Sequence, residues 1–272
     1  MARAWEPAQW WLVGLAAGAL LAMMSLVAPG VRADEPLRIP ILVYHRFDPA
    51  VPGPTTVTVA AFEAQLAWLA RHNYQVVPLR MALAELNGTA PRPQNPVAVI
   101  TADDGHKSVY TVLFPIIRRA RIPVTLFIYP SAISNASYAL TWEQLREMQA
   151  SGLVDVESHT YWHPNFETER RRRSAADYAA FVDNQLSRSR AVLEKQIGKP
   201  VDLLAWPYGI VDGDLEAAAR RDGYADAFAY AGGPAAPGDD QLALPRIPVS
   251  DAERGERFGA ALTARTQKRQ EP

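Results

Sequence analysis

The sequence predicts an α/β fold built on a mainly parallel sheet. Apolar runs of strand length alternate along the chain with amphipathic runs of helical period. The apolar runs are also nearly continuous, as expected for strands covered on both faces. At this level the sheet is either open or closed into a barrel. The chain has 272 residues, 49% hydrophobic and 21% charged, an ordinary globular composition. No internal repeat or strong linker is visible, so one domain over residues 36–265 is expected.

Each element follows from its local pattern. Residues 38–44 (RIPILVY) read as a buried strand. Residues 60–71 place Phe62, Leu66 and Leu69 on one helical face. A short strand over 74–79 and a short helix over 81–86 follow. Residues 97–101 (VAVIT) form a strand that runs into Asp103-Asp104-Gly105. Residues 108–119 read as a helix kinked near Pro115, and 124–129 (VTLFIY) as a strand. Thr141 caps a helix through Ala150, with Glu143 in its first turn and Gly152 as its stop. Strands at 153–157 and 201–206 flank a long helix over 174–197 that ends at Gly198. A helix over 214–221, a strand over 226–231 and a last strand over 244–249 complete the order. Residues 232–240 (GGPAAPGDD) read as a loop, and 266–272 as a frayed polar tail.

The N-terminus reads as an address. Residues 7–31 carry no charge, Arg3 precedes them, and Val31 and Ala33 make a small-x-small site before Asp34. This is the pattern of a secretory signal peptide over residues 1–33. The alternative is an uncleaved anchor at residues 10–28, because the apolar run is about as long as a membrane span of ~20 residues. Either reading exports the domain, to the periplasm or the cell surface. An association with a membrane or with an export apparatus is compatible with both. Cleavage takes Arg3, Glu6 and Arg32 away and moves the formal charge from −1 to −2.

Composition excludes several chemistries. There is no cysteine, hence no disulfide, thiolate zinc finger, iron–sulfur cluster or cysteine nucleophile. With 28 basic and 29 acidic residues, nothing drives general nucleic-acid binding. No Gly-x-Gly-x-x-Gly or Walker-type loop indicates a nucleotide, and no Gly-x-Ser-x-Gly elbow indicates a serine hydrolase.

In folds of this kind, active sites gather where strands end. The strand ends here present His45, the pair Asp103-Asp104, the pair His159 and His163, and Tyr208. Two adjacent carboxylates at a buried strand end repel each other, a conflict that a cation resolves. Gly105 lets the chain turn so that both can reach one site. Asp-Asp-Gly alone would equally suit a turn or a helix N-cap. His159 and His163 stand four apart, on one helical face or in one tight loop. Two imidazoles and one carboxylate make the three-ligand set of a catalytic divalent ion. Zinc suits such ligands; cobalt and nickel could also bind. His45 is a candidate acid–base group. His72 reads as a surface connector and His106 as a solvent-facing loop residue. The arginine run at 170–173, beside Glu167 and Glu169, reads as a solvated helix start or loop.

These motifs resemble the polysaccharide deacetylase family, the NodB-homology or carbohydrate esterase family 4 domain, over roughly residues 38–250. Thr101-Ala102-Asp103-Asp104-Gly105 resembles Thr-Phe-Asp-Asp-Gly. His159-Thr160-Tyr161-Trp162-His163-Pro164 resembles His-Ser/Thr-x-x-His-Pro, and Trp206-Pro207-Tyr208-Gly209 the end of Arg-x-Pro-Tyr-Gly. The early Tyr44-His45 is similar to the branch acting on poly-β-1,6-N-acetylglucosamine, where an N-terminal histidine replaces a late one. The resemblance implies a distorted (β/α)7 barrel. It implies Asp103 as general base, Asp104, His159 and His163 as metal ligands, and His45 as general acid. The backbone N–H of Tyr208 would face the oxyanion. Ala205 stands where the family has an arginine that orients the base, and Arg246 could replace it from the last strand. The implied activity is metal-dependent N-deacetylation of an exported, acetylated polysaccharide. O-deacetylation of xylan or peptidoglycan, and glycan binding without catalysis, are the alternatives.

Overall fold

The computed structural model describes residues 36–230 and 232–268. The leader read at 1–33 and the tail residues 269–272 lie outside them. Among the described residues no helix is long and apolar enough to cross a membrane.

Parallel strands form the centre. They are β1 (Ile41–Tyr44), β5 (Val97–Asp103), β6 (Val124–Ile128), β7 (Val154–Ser158), β8 (Leu203–Ala205), β9 (Asp226–Phe228) and β10 (Ile247–Pro248). Their spatial order is β10-β1-β5-β6-β7-β8-β9, and β4 (Gln75–Val76) pairs with the start of β5. The sheet curls back on itself. Leu42 pairs with Ile247, while Leu244, three residues earlier, bridges Phe228 on β9. One short segment thus joins the first and last strands, and the ring is the distorted (β/α)7 barrel that the resemblance implies. The expected continuous strand over 244–249 is corrected by this geometry. Pro245 has no N–H to give to a ladder, so the segment pairs on one side before it and on the other after it.

Alternation along each strand sorts the core into two shells. Ile41, Val99, Phe127, Leu203, Phe228 and Leu244 fill the ring. Leu42, Ile100, Leu126, Ile128, Val156 and Leu204 point outward into a larger cluster under the helices.

The helices are capped by short polar side chains and, at Gly198, by glycine. Thr58 caps α1 (Val59–Arg71), accepting the Ala61 amide. Thr141 and Gln144 form a reciprocal capping box on α4 (Trp142–Ala150). Ser174 caps α6 (Ala175–Ile197), which closes on Gly198 at φ +74°. Asp212 caps α7 (Gly213–Arg221). The helix expected to kink at Pro115 is instead a π-helical turn, Val109–Leu113, running into α3 (Phe114–Ala120). Pro115 sits in the first turn of α3, where its missing donor costs nothing. Four elements escaped the sequence reading: β2 (Arg46–Asp48), β3 (Thr56–Thr58), α5 (Phe166–Arg171) and α8 (Glu256–Lys268). The last of these carries helix into residues 266–268, read as tail.

The end of the ring opposite the strand C-termini is plugged by α2 (Leu79–Leu86). Its Leu79, Ala82, Leu83 and Leu86 join the inner shell. Beside them Arg80 bonds Asp155 at 3.0 Å, Asp202 at 2.7 Å and the fully buried Glu157. Glu157 also accepts the Asp202 and Leu203 amides at 3.2 and 3.0 Å. Burial, with Asp155 alongside, pushes Glu157 up to about 8 against the pull of the Leu203 amide and Arg80.

A carboxyl that holds its proton more tightly when folded stabilises the fold most in acid. Stability is therefore expected to decline as pH rises from about 4.5 to about 8. Glu157→Gln should flatten that part of the profile, read as the urea midpoint against pH. Parallel profiles for the two proteins would refute the assignment.

Candidate active site

The site lies at the C-terminal ends of the strands. Strand β5 ends on Asp103, which is 1% exposed. The next two residues both take left-handed backbone, Asp104 at φ +72° and Gly105 at φ +73°. At Gly105 this conformation favours glycine, since a side chain there would be strained. Without this turn, consecutive strand residues would point to opposite faces. With it, both carboxylates reach His159: its Nε2 lies 3.9 Å from Asp103 Oδ2 and 3.7 Å from Asp104 Oδ1.

His159 and His163 leave the end of β7. Thr160 at φ +64° and His163 at φ +63° coil the loop tightly, and the ring centroids stand 4.7 Å apart. His163 Nε2 is 3.6 Å from Asp104 Oδ1. His159 Nδ1 donates to the Ala205 carbonyl at 2.7 Å, which leaves Nε2 as the free lone pair facing Asp104. One ligand atom from each of Asp104, His159 and His163 lies within 4.8 Å of the others. Bonds of ~2.0–2.2 Å around a tetrahedral zinc ion put ligand atoms about 3.4 Å apart, close to the separations found here. Burial lowers both histidines, His159 to about 3. Neutral imidazoles are the form that binds a cation. Burial raises Asp104, and the neighbouring Asp103 charge adds to this. The donor set fits a divalent ion.

Asp103 is held differently. Arg246, with no exposed surface, donates from Nη1 and Nη2 to its two oxygens at 2.8 and 2.7 Å. Arg246 Nε donates to the Ala229 carbonyl at 3.0 Å, and its guanidinium lies over the Phe127 ring at 5.2 Å. Burial alone would raise Asp103. The Arg246 charge and hydrogen bonds, with His159 and His45, bring it to about 2. Arg246 thus holds Asp103 by both oxygens, while Ala205 contributes its carbonyl to His159.

The remaining expected residues line the mouth. His45 follows β1 with its ring edge toward Tyr230 at 5.6 Å. Among the described residues its ring nitrogens have no hydrogen-bond partner. Tyr208 sits in a 3-10 turn, Pro207–Gly209, with φ +59° and its ring 4.7 Å from His163. A Cβ on Gly209 would lie 2.7 Å from the Tyr230 amide nitrogen, which fixes this turn against the next strand's end. His72 bonds the Trp68 carbonyl and stacks on Trp68, a connector as expected. His106 bonds Ser108 at 2.8 Å and stacks over Tyr138 at the rim. The 170–173 arginines belong to α5 and the turn after it. Arg170 pairs with Asp212 and Asp214, and Arg173 with Glu169, so the run is neutralised locally. Sequence reasoning missed Tyr129, Tyr138, Trp162 and Tyr230. Tyr129 comes directly after a strand, as His45 does, and the same strand-end search could have found it.

Comparison with known proteins agrees with this geometry. The polysaccharide deacetylase family profile matches residues 90–227. The poly-β-1,6-N-acetyl-D-glucosamine N-deacetylase of Staphylococcus aureus (strain MRSA252) is 25% identical over 201 residues, 72% of this chain and 68% of that protein. The structure of IcaB from Ammonifex degensii is 25% identical, with a TM-score of 0.73 over 83% of this chain and 97% of that one. The Streptococcus pyogenes deacetylase PplD in complex with acetate is 23% identical and shares the fold, with a TM-score of 0.73 over 84% and 99%.

Removing one ligand should abolish stoichiometric zinc uptake. Asp104→Ala and His163→Ala are expected to bind at least tenfold more weakly by calorimetry; unchanged uptake would place the ion elsewhere. Arg246→Ala strands a buried carboxylate and should cost about 3–5 kcal/mol in urea unfolding. Arg246→Lys should recover only part, lacking the bidentate fork.

Proposed function

Because this chain belongs to the polysaccharide deacetylase family, we propose that it hydrolyses the acetamide of N-acetylglucosamine units in an exported polysaccharide. The likeness to the staphylococcal enzyme and to the Ammonifex structure favours poly-β-1,6-N-acetylglucosamine as the polymer. The observation that carries the reading is the Asp104, His159 and His163 triangle set beside an ion-paired Asp103.

A divalent ion at that triangle, zinc by the chemistry of its donors, would polarise the acetamide carbonyl and acidify a bound water. Asp103, charged and fixed by Arg246, accepts the proton of the attacking water. The Tyr208 N–H, presented by its left-handed turn, donates to the oxygen as negative charge develops there. His45 is the group that gives a proton to the departing nitrogen. Water is consumed, the C–N bond breaks, and acetate and an amino sugar leave. The leader read at residues 1–33 would deliver the domain to where such polymers are made.

The test is acetate release from β-1,6-linked N-acetylglucosamine oligomers, with acetylated xylan as comparator. Chelator should stop release and zinc restore it. Asp103→Asn and His45→Ala should each lower kcat by about 10²–10⁴. Full activity in chelator or in Asp103→Asn would overturn the reading, and preference for xylan would replace N- by O-deacetylation.

A further inference from the structure

Large aromatic rings are normally covered, yet three are exposed among the described residues. They are Tyr138 at 43%, Trp162 at 42% and Tyr208 at 60%, and all three stand at the mouth of this site. Trp162 immediately precedes the ligand His163. Its ring is backed by the edge of Phe181 at 6.0 Å, and its backbone N–H donates to Gln185 Oε1 at 3.1 Å. Tyr138 is held by its hydroxyl against that of Tyr129 at 3.0 Å, and Tyr129 lies 5.5 Å from the His163 ring. These rings are held by their neighbours while remaining partly exposed to water.

Topology separates them. Tyr138 lies in the loop between β6 and α4, which is tied to the β5 end by the His106–Ala139 bridge. Trp162 leans the other way, onto α6, which leads from β7 to β8. Of the candidate ligands, Asp104 follows β5 and His159 and His163 follow β7, the strands on either side of β6.

A pyranose ring carries axial C–H bonds on its faces and hydroxyls around its edge. An exposed aromatic face takes the former at little conformational cost and leaves the latter hydrated. We infer that Trp162 and Tyr138 are substrate-positioning residues on two separate loops of the site, each stacking a sugar unit that neighbours the one bearing the reacting acetamide. The inference rests on the deacetylase reading for the reaction, and not for the binding. Its consequence is that the site grips more than one unit of a chain, and that a single N-acetylglucosamine unit misses both contacts.

The experiment compares the zinc-loaded chain with Trp162→Ala, Trp162→Phe and Tyr138→Ala on a β-1,6-linked N-acetylglucosamine pentamer, the monomer and a small aryl acetate. Each alanine variant should raise the pentamer KM about 5- to 30-fold and leave kcat within about twofold. Trp162→Phe should recover most of the loss. Zinc stoichiometry, monomer binding and aryl acetate turnover should not move. If no acetate appears with the native chain, calorimetric Kd for the pentamer replaces KM. Loss of that affinity in the alanine variants then sustains the platforms while the deacetylase reading falls. Unchanged pentamer KM or Kd in both alanine variants, no pentamer binding by the native chain, or equal loss on the aryl acetate would overturn the inference.

Discussion

The site depends on one buried ion pair. A guanidinium with no exposed surface donates both ends of its fork to a carboxylate that is itself 1% exposed. Neither charge could remain there alone, since several kcal/mol of hydration are lost by each. Together they fix Asp103 in its ionised form, directed at His159. The pair also makes the Asp-Asp sequence tolerable. With Asp103 neutralised by Arg246, Asp104 is left as the one carboxylate available to a cation. Asp103 therefore has its own electrostatic partner, and the sharp turn at Asp104-Gly105 lets both carboxylates face His159.

The same pair ties the site to the closure of the barrel. Arg246 belongs to the short segment that bridges β9 through Leu244 and β1 through Ile247. Its Nε bond to the Ala229 carbonyl extends that closure past the strand end. The placement of Asp103 is thus coupled to whether the ring shuts. The family match ends at residue 227, before this segment begins. The arginine that grips Asp103 therefore comes from outside the matched span.

Most of the candidate site was legible because strand ends are easy to find. Continuous apolar runs locate the strands, and the residues just past each run gather at one end of the fold. That rule alone collects His45, Asp103, Asp104, His159, His163 and Tyr208, and the structure brings them to one mouth. The elements it missed lack such a signal. Strands β2 and β3 are three residues each and form a two-stranded sheet of their own, so no periodicity can develop. Helix α8 mixes small and charged residues, and its burial of Phe258 and Leu262 comes from packing beside Trp68. The break in the last strand was hidden because a proline inside an apolar run shows that pairing stops without showing where it resumes. Trp162 was in view within the histidine motif, but whether a tryptophan is core or platform is decided by what covers it.

Backbone conformation links these points. Among non-glycine residues with positive φ, Asp104, Thr160, His163 and Tyr208 all belong to the site. Each such residue costs about 1–2 kcal/mol relative to ordinary backbone, so their clustering must be offset elsewhere. The offset lies below the turns, in strands buried on both faces and in the Arg80 plug at the opposite end of the ring. A ring held firmly at its base can force its loops into turns that a free peptide would avoid. Those turns are what converge the ligand atoms, since extended strand ends would send neighbouring side chains apart. A cation bridging Asp104, His159 and His163 would bind groups already arranged, and little of its binding energy would go into ordering them.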